Sequence, residues 1–325
     1  GRADVPAPAV IPAQGVYQLH DGAIDATAYF AGERVEVLDR GDDAGLIDEG
    51  DFSGAAFDSR TPAAASYQTD CGRGLVKINS QPVGRFAFGL RGDAAGGLAD
   101  TTGPVLARML AEAGVPAPRV GASVAGLSAP ATVGAWFDSG ERARDAVSWV
   151  ARSAPAALLP DRLGVWQAAL LAPPAAIAAH SLGPDDVVRI EADTSEPAPI
   201  GEVRIGWERH WTTYTGSDLA PALKGTAAEE YLAAEYRYAT AVDAVAKARF
   251  PRSWKTLELT TALRLQADAQ ALADSLRDLF GLRADGRPRR TWRVTTELTS
   301  ARLALALGST VRLQTAGVDD RFLLI

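Results

Sequence analysis

Cysteine, methionine and histidine are nearly missing from this sequence of 325 residues, which holds one, one and three of them. A single cysteine, Cys71, cannot close an internal disulfide, which fits folding in a reducing cytoplasm. The histidines, His20, His180 and His210, form no His-Glu-x-x-His, and no Cys-x-x-Cys occurs, so the spacings of a structural zinc or metalloprotease site are lacking. There is no Gly-x-Ser-x-Gly elbow, and Gly72-x-Gly74 lacks the third glycine and following helix of a phosphate cradle. It reads as a turn. No long apolar run exists either: Ala168 to Ala179 is broken by Pro173 and Pro174 and falls short of the roughly 20 residues of a membrane helix. The first residues show no basic region leading into an apolar core, the pattern of a secretory signal. Basic charge is not in excess. A formal charge of -7 and a pI near 5.1 argue against specific nucleic-acid binding and serve solubility instead.

What the sequence does have is apolar content, 47% against 22% charged, enough to bury a substantial core in two or three domains. Residues 1–100 read as a β-rich domain. Val16 to Leu19, Ala26 to Phe30, Arg34 to Leu38, Gly74 to Ile78 and Arg85 to Leu90 are short and partly alternating, with turns at Asp21-Gly22 and between Pro82 and Gly84. An insert rich in aspartate and glycine, Asp39 to Asp58, reads as a surface loop.

Residues 101–195 read as a small α/β domain. Val105, Leu106, Met109, Leu110 and Ala113 share a helical face, with Thr102 as cap, Pro104 in the first turn and Gly114 as terminator. A second helix is expected from Asp138, where Asp138 and Glu141 have capping-box spacing ahead of Ala143, Ala146, Val147 and Val150. Thr132 to Phe137 and Gly164 to Leu171 read as strands. The stretch Glu191 to Pro199 is a boundary rich in proline and acid.

Residues 196–325 read as a barrel-like β domain with a helix packed near 266–281. Strands are expected at Gly201 to Thr213, Tyr236 to Val242, Thr256 to Leu263, Thr291 to Leu298, Thr310 to Thr315 and Arg321 to Ile325. The helix is Gln266 to Phe280, with Leu272, Leu276, Leu279 and Phe280 on its apolar side. The last strand should pair with Thr310 to Thr315 across the turn at Gly317. The fold class expected is α+β, with barrel- or sandwich-like β domains flanking the small α/β domain. Gly1 without a methionine and the apolar end Arg321 to Ile325 suggest a piece of a longer protein.

No catalytic, cofactor-binding or metal-binding residues are assigned. His20 reads as a polar turn residue and Cys71, in Asp70-Cys71-Gly72-Arg73, as a loop or partly buried thiol without a nucleophile signature. Asp39, Asp42, Asp43, Asp48, Glu49 and Asp51 could supply the carboxylate pair of a glycosidase or calcium ligands, but lack the Asp-x-Asp-x-Asp-Gly order. A solvated face explains them. Trp207, Arg209 and Trp211 fall on one side of an extended segment and, with Tyr214, could stack on a sugar ring; alternating large residues more often pack inward or against a subunit. Arg91-Gly-Asp93 reads as a turn. Arg283, Arg287, Arg289, Arg290 and Arg293 read as a solvated loop after the helix.

One ordered set of phrases goes further. After Gly1-Arg2 and a proline-rich lead come Val16-Tyr-Gln-Leu-His-Asp-Gly-Ala-Ile24, Tyr29-Phe-Ala-Gly-Glu33, Gly74-Leu-Val-Lys-Ile-Asn-Ser-Gln-Pro-Val-Gly84 and Arg91-Gly-Asp93. Val133-Gly-Ala-Trp-Phe-Asp138, Val203-Arg-Ile-Gly-Trp-Glu-Arg-His-Trp211, Glu230 to Tyr238, Leu279-Phe-Gly281 and Leu307-Gly-Ser-Thr-Val-Arg312 follow. This succession resembles the large tail proteins of tailed bacteriophages and prophages that form the hub and tip (baseplate hub) beneath the tail tube. The acidic insert and the alanine-rich composition depart from that family's pattern, and the family extends past both ends of this chain. The resemblance implies a structural, non-enzymatic protein of the virion tail, assembled in the bacterial host cytoplasm. It further implies a homotrimeric ring of copies joined to the tail tube and to other tail-tip proteins, with no cofactor. A tail module that binds a host-surface glycan is the alternative, and a cell-wall hydrolase comes third.

Overall fold

In the computed structural model, the described residues are 5–27, 33–94, 97–127, 131–137, 140–192, 199–283, 286–287, 292–297, 299, 305, 308–315 and 318–324. The fold is α+β, with seven α-helices and six sheets among these residues. Two compact units divide the chain. One comprises residues 1–100, 134–138 and 208–237, the other 101–133, 139–207 and 238–325.

The first unit is built on β1 (Val5–Pro6), β2 (Ala9–Ile11), β3 (Val16–Gln18), β4 (Glu36–Asp39), β5 (Asp42–Asp43), β6 (Ile47–Asp51), α1 (Ala55–Ser59), β7 (Ser66–Asp70), β8 (Leu75–Asn79) and β9 (Phe86–Gly89). One sheet runs β1-β9-β4-β5 and the other β2-β3-β8-β7-β6. Both contribute to one core, with Val37, Phe86 and Phe88 from the first and Tyr67, Val76 and Ile78 from the second. Tyr17 meets the rings of Phe86 and Phe88 at centroid distances of 5.9 and 5.6 Å. The buried Tyr67 hydroxyl donates to the Val35 carbonyl at 2.8 Å, so this large polar ring is satisfied inside the core. Gly74, at φ +63°, ends the β7–β8 turn where its carbonyl accepts the Leu19 amide at 2.8 Å. A side chain there would press on the His20 and Gly22 carbonyls.

Two expectations for this region need correction. Ala26 and Thr27 lie outside any strand, and residues 28–30 fall outside the described ones. Among the described residues Asp21-Gly22 joins no hairpin; the amides of Ile24 and Asp25 bond to the carbonyls of Cys71 and Arg91. The acidic insert is also not a loop, since it holds β5, β6 and α1. Its aspartates and glutamate fold it by accepting main-chain amides: Asp48 from Gly50 at 2.8 Å, Glu49 from Ala63 at 2.6 Å, and Asp51 from Cys71 at 2.7 Å. The outer strand β6 runs parallel to β7 with a register shift between Asp48 and Asp51. A bulged, acidic outer strand resists pairing with a further chain.

The second unit opens with α2 (Thr102–Glu112), α3 (Ala122–Ala125) and α4 (Ala143–Ala151). In α2 the buried positions are Thr102, Gly103, Leu106 and Leu110, while Val105 and Met109 are half-buried and Ala113 is exposed. The cap position is Thr101 rather than Thr102, whose hydroxyl instead donates to the Ala131 carbonyl at 3.5 Å. Gly114, at φ +84°, follows the helix end as expected. α4 starts at Ala143 and not at Asp138, which lies outside the described residues. Ala146, Val147 and Val150 are buried and Ala143 is exposed. Thr132 and Val133 make only isolated bridges, to Thr101 and Leu263, so Thr132 to Phe137 is not a strand.

Beyond α4 come β10 (Ala156–Pro160), β11 (Trp166–Leu170), β12 (His180–Leu182), β13 (Val187–Ala192) and β14 (Ile200–Trp207). After α5 (Ala227–Ala233), which belongs to the first unit, follow β15 (Arg237–Val242), α6 (Ala244–Arg249), β16 (Lys255–Thr260), α7 (Gln266–Phe280), β17 (Trp292–Thr296), β18 (Thr310–Thr315) and β19 (Val318–Leu323). β10 and β11 form an antiparallel hairpin, and β13 pairs antiparallel with β17. β14 lies between β15 and β16, parallel to β16, and α7 packs on it. Gly201, Val203, Ile205, Gly206 and Trp207 are the buried strand positions, and Ala269, Leu272, Ala273 and Leu276 the buried helix positions. Leu279 is half-buried and Phe280 is 41% exposed, so the apolar side of α7 is narrower than its sequence suggests.

The expected terminal pairing is present: β18 and β19 run antiparallel, with Thr310 opposite Leu323 and Val311 opposite Phe322. The turn residues 316 and 317 lie outside the described ones, as does Ile325. Residues 193–198 of the expected boundary do too. No pairing among the described residues closes a sheet into a barrel.

Candidate functional site

A cluster of cationic and aromatic side chains lies in residues 208–237, together with Trp136 and Phe137, all within the first unit. The expected strand Gly201 to Thr213 stops at Trp207, because Glu208 takes φ +48°, which breaks the extended alternation. Trp207, Arg209 and Trp211 thus share no strand face. Trp207 is buried, whereas Trp211 is half-buried.

Local signals then fold the segment. The Asp218 carboxylate accepts the Thr215 hydroxyl at 2.5 Å, and the Thr226 hydroxyl caps α5 by accepting the Ala228 amide at 3.2 Å. Tyr214, Leu219 and Leu232 form a small core. It sits on the β4–β5 turn, where a Cβ on Gly41 would come within 2.9 Å of Leu232, and the Ala220 amide donates to the Arg40 carbonyl at 3.1 Å. At the ends of the segment, Arg237 and the buried Glu208 form an ion pair at 3.4 Å.

The cluster itself alternates cations with rings. The Arg209 guanidinium lies 4.0 Å from the Trp211 ring centre and 5.8 Å from that of Tyr236, and its Nε donates to Glu235 at 2.9 Å. Trp136 and Phe137 meet Trp211 edge-on at 5.8 and 6.3 Å. Arg237 covers the Tyr231 ring at 3.5 Å, and the buried His210 meets that ring edge-on at 4.2 Å. Contacts of this type are each worth about 0.5–2 kcal/mol. Arg209 thus covers one face of the Trp211 ring, with Trp136 and Phe137 meeting it edge-on.

The other residues singled out in the sequence are scattered. His20 lies in a turn, its Nδ1 accepting the Gly22 amide at 2.9 Å, and His180 lies in β12. Cys71 is 3% exposed, its thiol 3.5 Å from the Thr69 hydroxyl, and burial pushes its pKa up to about 12. A thiol so raised is not a nucleophile at neutral pH. Gly72 and Gly74 lie in the β7–β8 turn. Arg91 sits 3.6 Å from both Asp25 and Asp100, and Asp93 takes φ +47° in the irregular stretch before α2. Arg283 pairs with Asp320 at 2.7 Å, Arg293 is exposed on β17, and Arg289 and Arg290 fall outside the described residues. Among the described residues no group of three or more His, Cys, Asp or Glu side chains is placed to hold a metal ion.

Sequence reasoning passed over Lys77. It is buried in β8, where its ammonium donates to the carbonyls of Phe57 at 2.7 Å, Arg60 at 2.9 Å and Asp58 at 3.2 Å, closing the C-terminal end of α1. The signal was a lone lysine inside Leu75-Val-Lys-Ile-Asn79, a segment otherwise reading as core.

No family model matches the chain, and no curated protein matches it. Among solved structures the chain is similar to the tail protein from Neisseria meningitidis MC58, at 13% identity over 77% of this chain and 67% of that one, with a TM-score of 0.39. It is also similar to the 43 kDa tail protein of prophage MuSo2 from Shewanella oneidensis, at 13% identity over 77% and 69%, with a TM-score of 0.37.

Proposed function

We propose that this chain is a structural component of a phage tail, at the hub or tip, joining the tail tube to distal tip or host-recognition parts. The observation that carries the reading is where the family-like phrases fall. Val16 to Ile24 contains β3, Gly74 to Gly84 contains β8 and the turn after it, Val203 to Trp211 contains most of β14 and its exit, and Leu307 to Arg312 leads into β18. These four phrases thus lie in or beside strands, whereas Arg91-Gly-Asp93 and Val133 to Phe137 lie outside any strand or helix. A second support is that the carboxylates offering a catalytic pair are engaged: Asp39 with the Val83 and Gly84 amides, Asp48 with Arg34, and Glu49 and Asp51 with main-chain amides. Groups committed in this way position a backbone, whereas a glycosidase needs two carboxyls facing a substrate.

In this reading the copies form a threefold ring in the virion tail, assembled in the host cytoplasm; a closed ring arises from heterologous contacts related by rotation. Imaging of intact tails with this region labelled tests it. Density on the tail axis, repeated three times, is expected. Label on a peripheral fibre, together with glycan-array binding abolished by Trp211→Ala, would favour a glycan-binding module instead.

A further inference from the structure

We draw no further inference here: the strongest candidate, the apolar face of the β10–β11 hairpin made by Ala156, Leu158, Pro160, Trp166, Ala168 and Leu170, is half-buried or exposed at every position, and nothing in the structure shows what covers it.

Discussion

Among the described residues, only the first unit buries ionisable polar side chains, which it does alongside the neutral Ser66, Gln68 and Thr69. In the first, the buried polar side chains include Glu36, Asp70, Lys77, Glu208 and His210; in the second, among the described residues, they are Thr102, Ser153, Thr261 and Thr310. Each of those four hydroxyls bonds the main chain: Thr102 and Thr261 donate to the carbonyls of Ala131 and Gly206, while Ser153 and Thr310 accept the amides of Ala262 and Ala175. A hydroxyl is cheap to bury when satisfied, whereas an ionisable group is costly to bury and costlier to orphan. The charge follows the same division. The first unit holds 21 acidic and 11 basic residues, and the second 19 and 22. The first unit therefore buries ionisable groups that need partners, whereas the second buries hydroxyls whose main-chain partners lie 29 to 135 residues away along the sequence.

The sharpest way to break this contrast is Lys77→Met. The change keeps the volume of the stem but removes all three ammonium bonds at the end of α1, leaving the Phe57 and Arg60 carbonyls with the Gln68 side-chain amide. A loss of about 3 kcal/mol is expected, since hydrogen bonds to a charged group are worth about 1.5–3 kcal/mol each and these three share one site. Urea unfolding gives the magnitude, and hydrogen exchange should show the loss in β7, β8 and α1 with α7 still protected. Unchanged stability would mean that the polar bonds of the first unit are incidental.

The counterpart in the second unit is removal of Phe322 to Ile325. Phe322 and Leu324 pack on Leu182, Val311 and Leu313, while Leu323 faces Thr310 across the β18–β19 pair. These side chains are only partly buried, so a loss of about 2 kcal/mol is expected, below the full burial value of about 1.5–3 kcal/mol for each. A melting temperature equal to that of the intact chain would overturn the view that this hairpin carries weight.

Legibility in the sequence followed the range of the interactions. α7 matched its expected bounds because its spacing of Leu272 and Leu276 is local, and β18 because its alternation is complete within six residues. The acidic insert was misread because what folds it is remote: Glu49 binds an amide 14 residues away, Asp51 one 20 away, and Asp39 one 44 away. The aromatic segment was misread at one residue, since nothing in Trp207-Glu208-Arg209 announces that Glu208 turns to positive φ. Its later course, packing on the β4–β5 turn more than 170 residues earlier in the chain, has no local signature either. The residues of the candidate site were thus partly named from the sequence, but as a strand face rather than a cluster of rings and guanidinium groups.

A smaller effect probes the local caps of the second unit. Asp243 caps α6 through the Ala246 amide at 2.9 Å, and its other oxygen accepts the Leu282 amide just beyond α7 at 3.3 Å. Asp243→Ala is expected to cost about 1 kcal/mol, the usual worth of such a cap, and Asp243→Asn to recover the part due to the Ala246 amide, because its Oδ1 still accepts while its NH2 cannot accept the Leu282 amide. Thermal unfolding of both variants decides the matter. Equal losses in the two would assign the effect to charge or to the Leu282 bond rather than to the α6 cap.

The smallest effect concerns pH and the loop between β10 and β11. The Asp161 carboxylate accepts the Val165 amide at 3.0 Å, the Leu163 amide at 2.8 Å and the Gln167 side chain at 3.3 Å. These bonds, that from Val165 foremost, hold its pKa below the ordinary aspartate value. A carboxyl with a lowered folded-state pKa binds fewer protons folded than unfolded, so stability rises with pH across that window. The contribution is fully present above the unfolded value of about 3.9 and disappears as pH falls through the folded one. Because the group is exposed, the effect should be confined to the loop. Amide exchange at Leu163 and Val165, measured between pH 5 and 2 and corrected for intrinsic rates, should lose protection in the intact chain as the carboxyl protonates. Asp161→Asn should abolish that pH dependence while leaving β18 unaffected. Persistence of the dependence in the variant would assign it to another group.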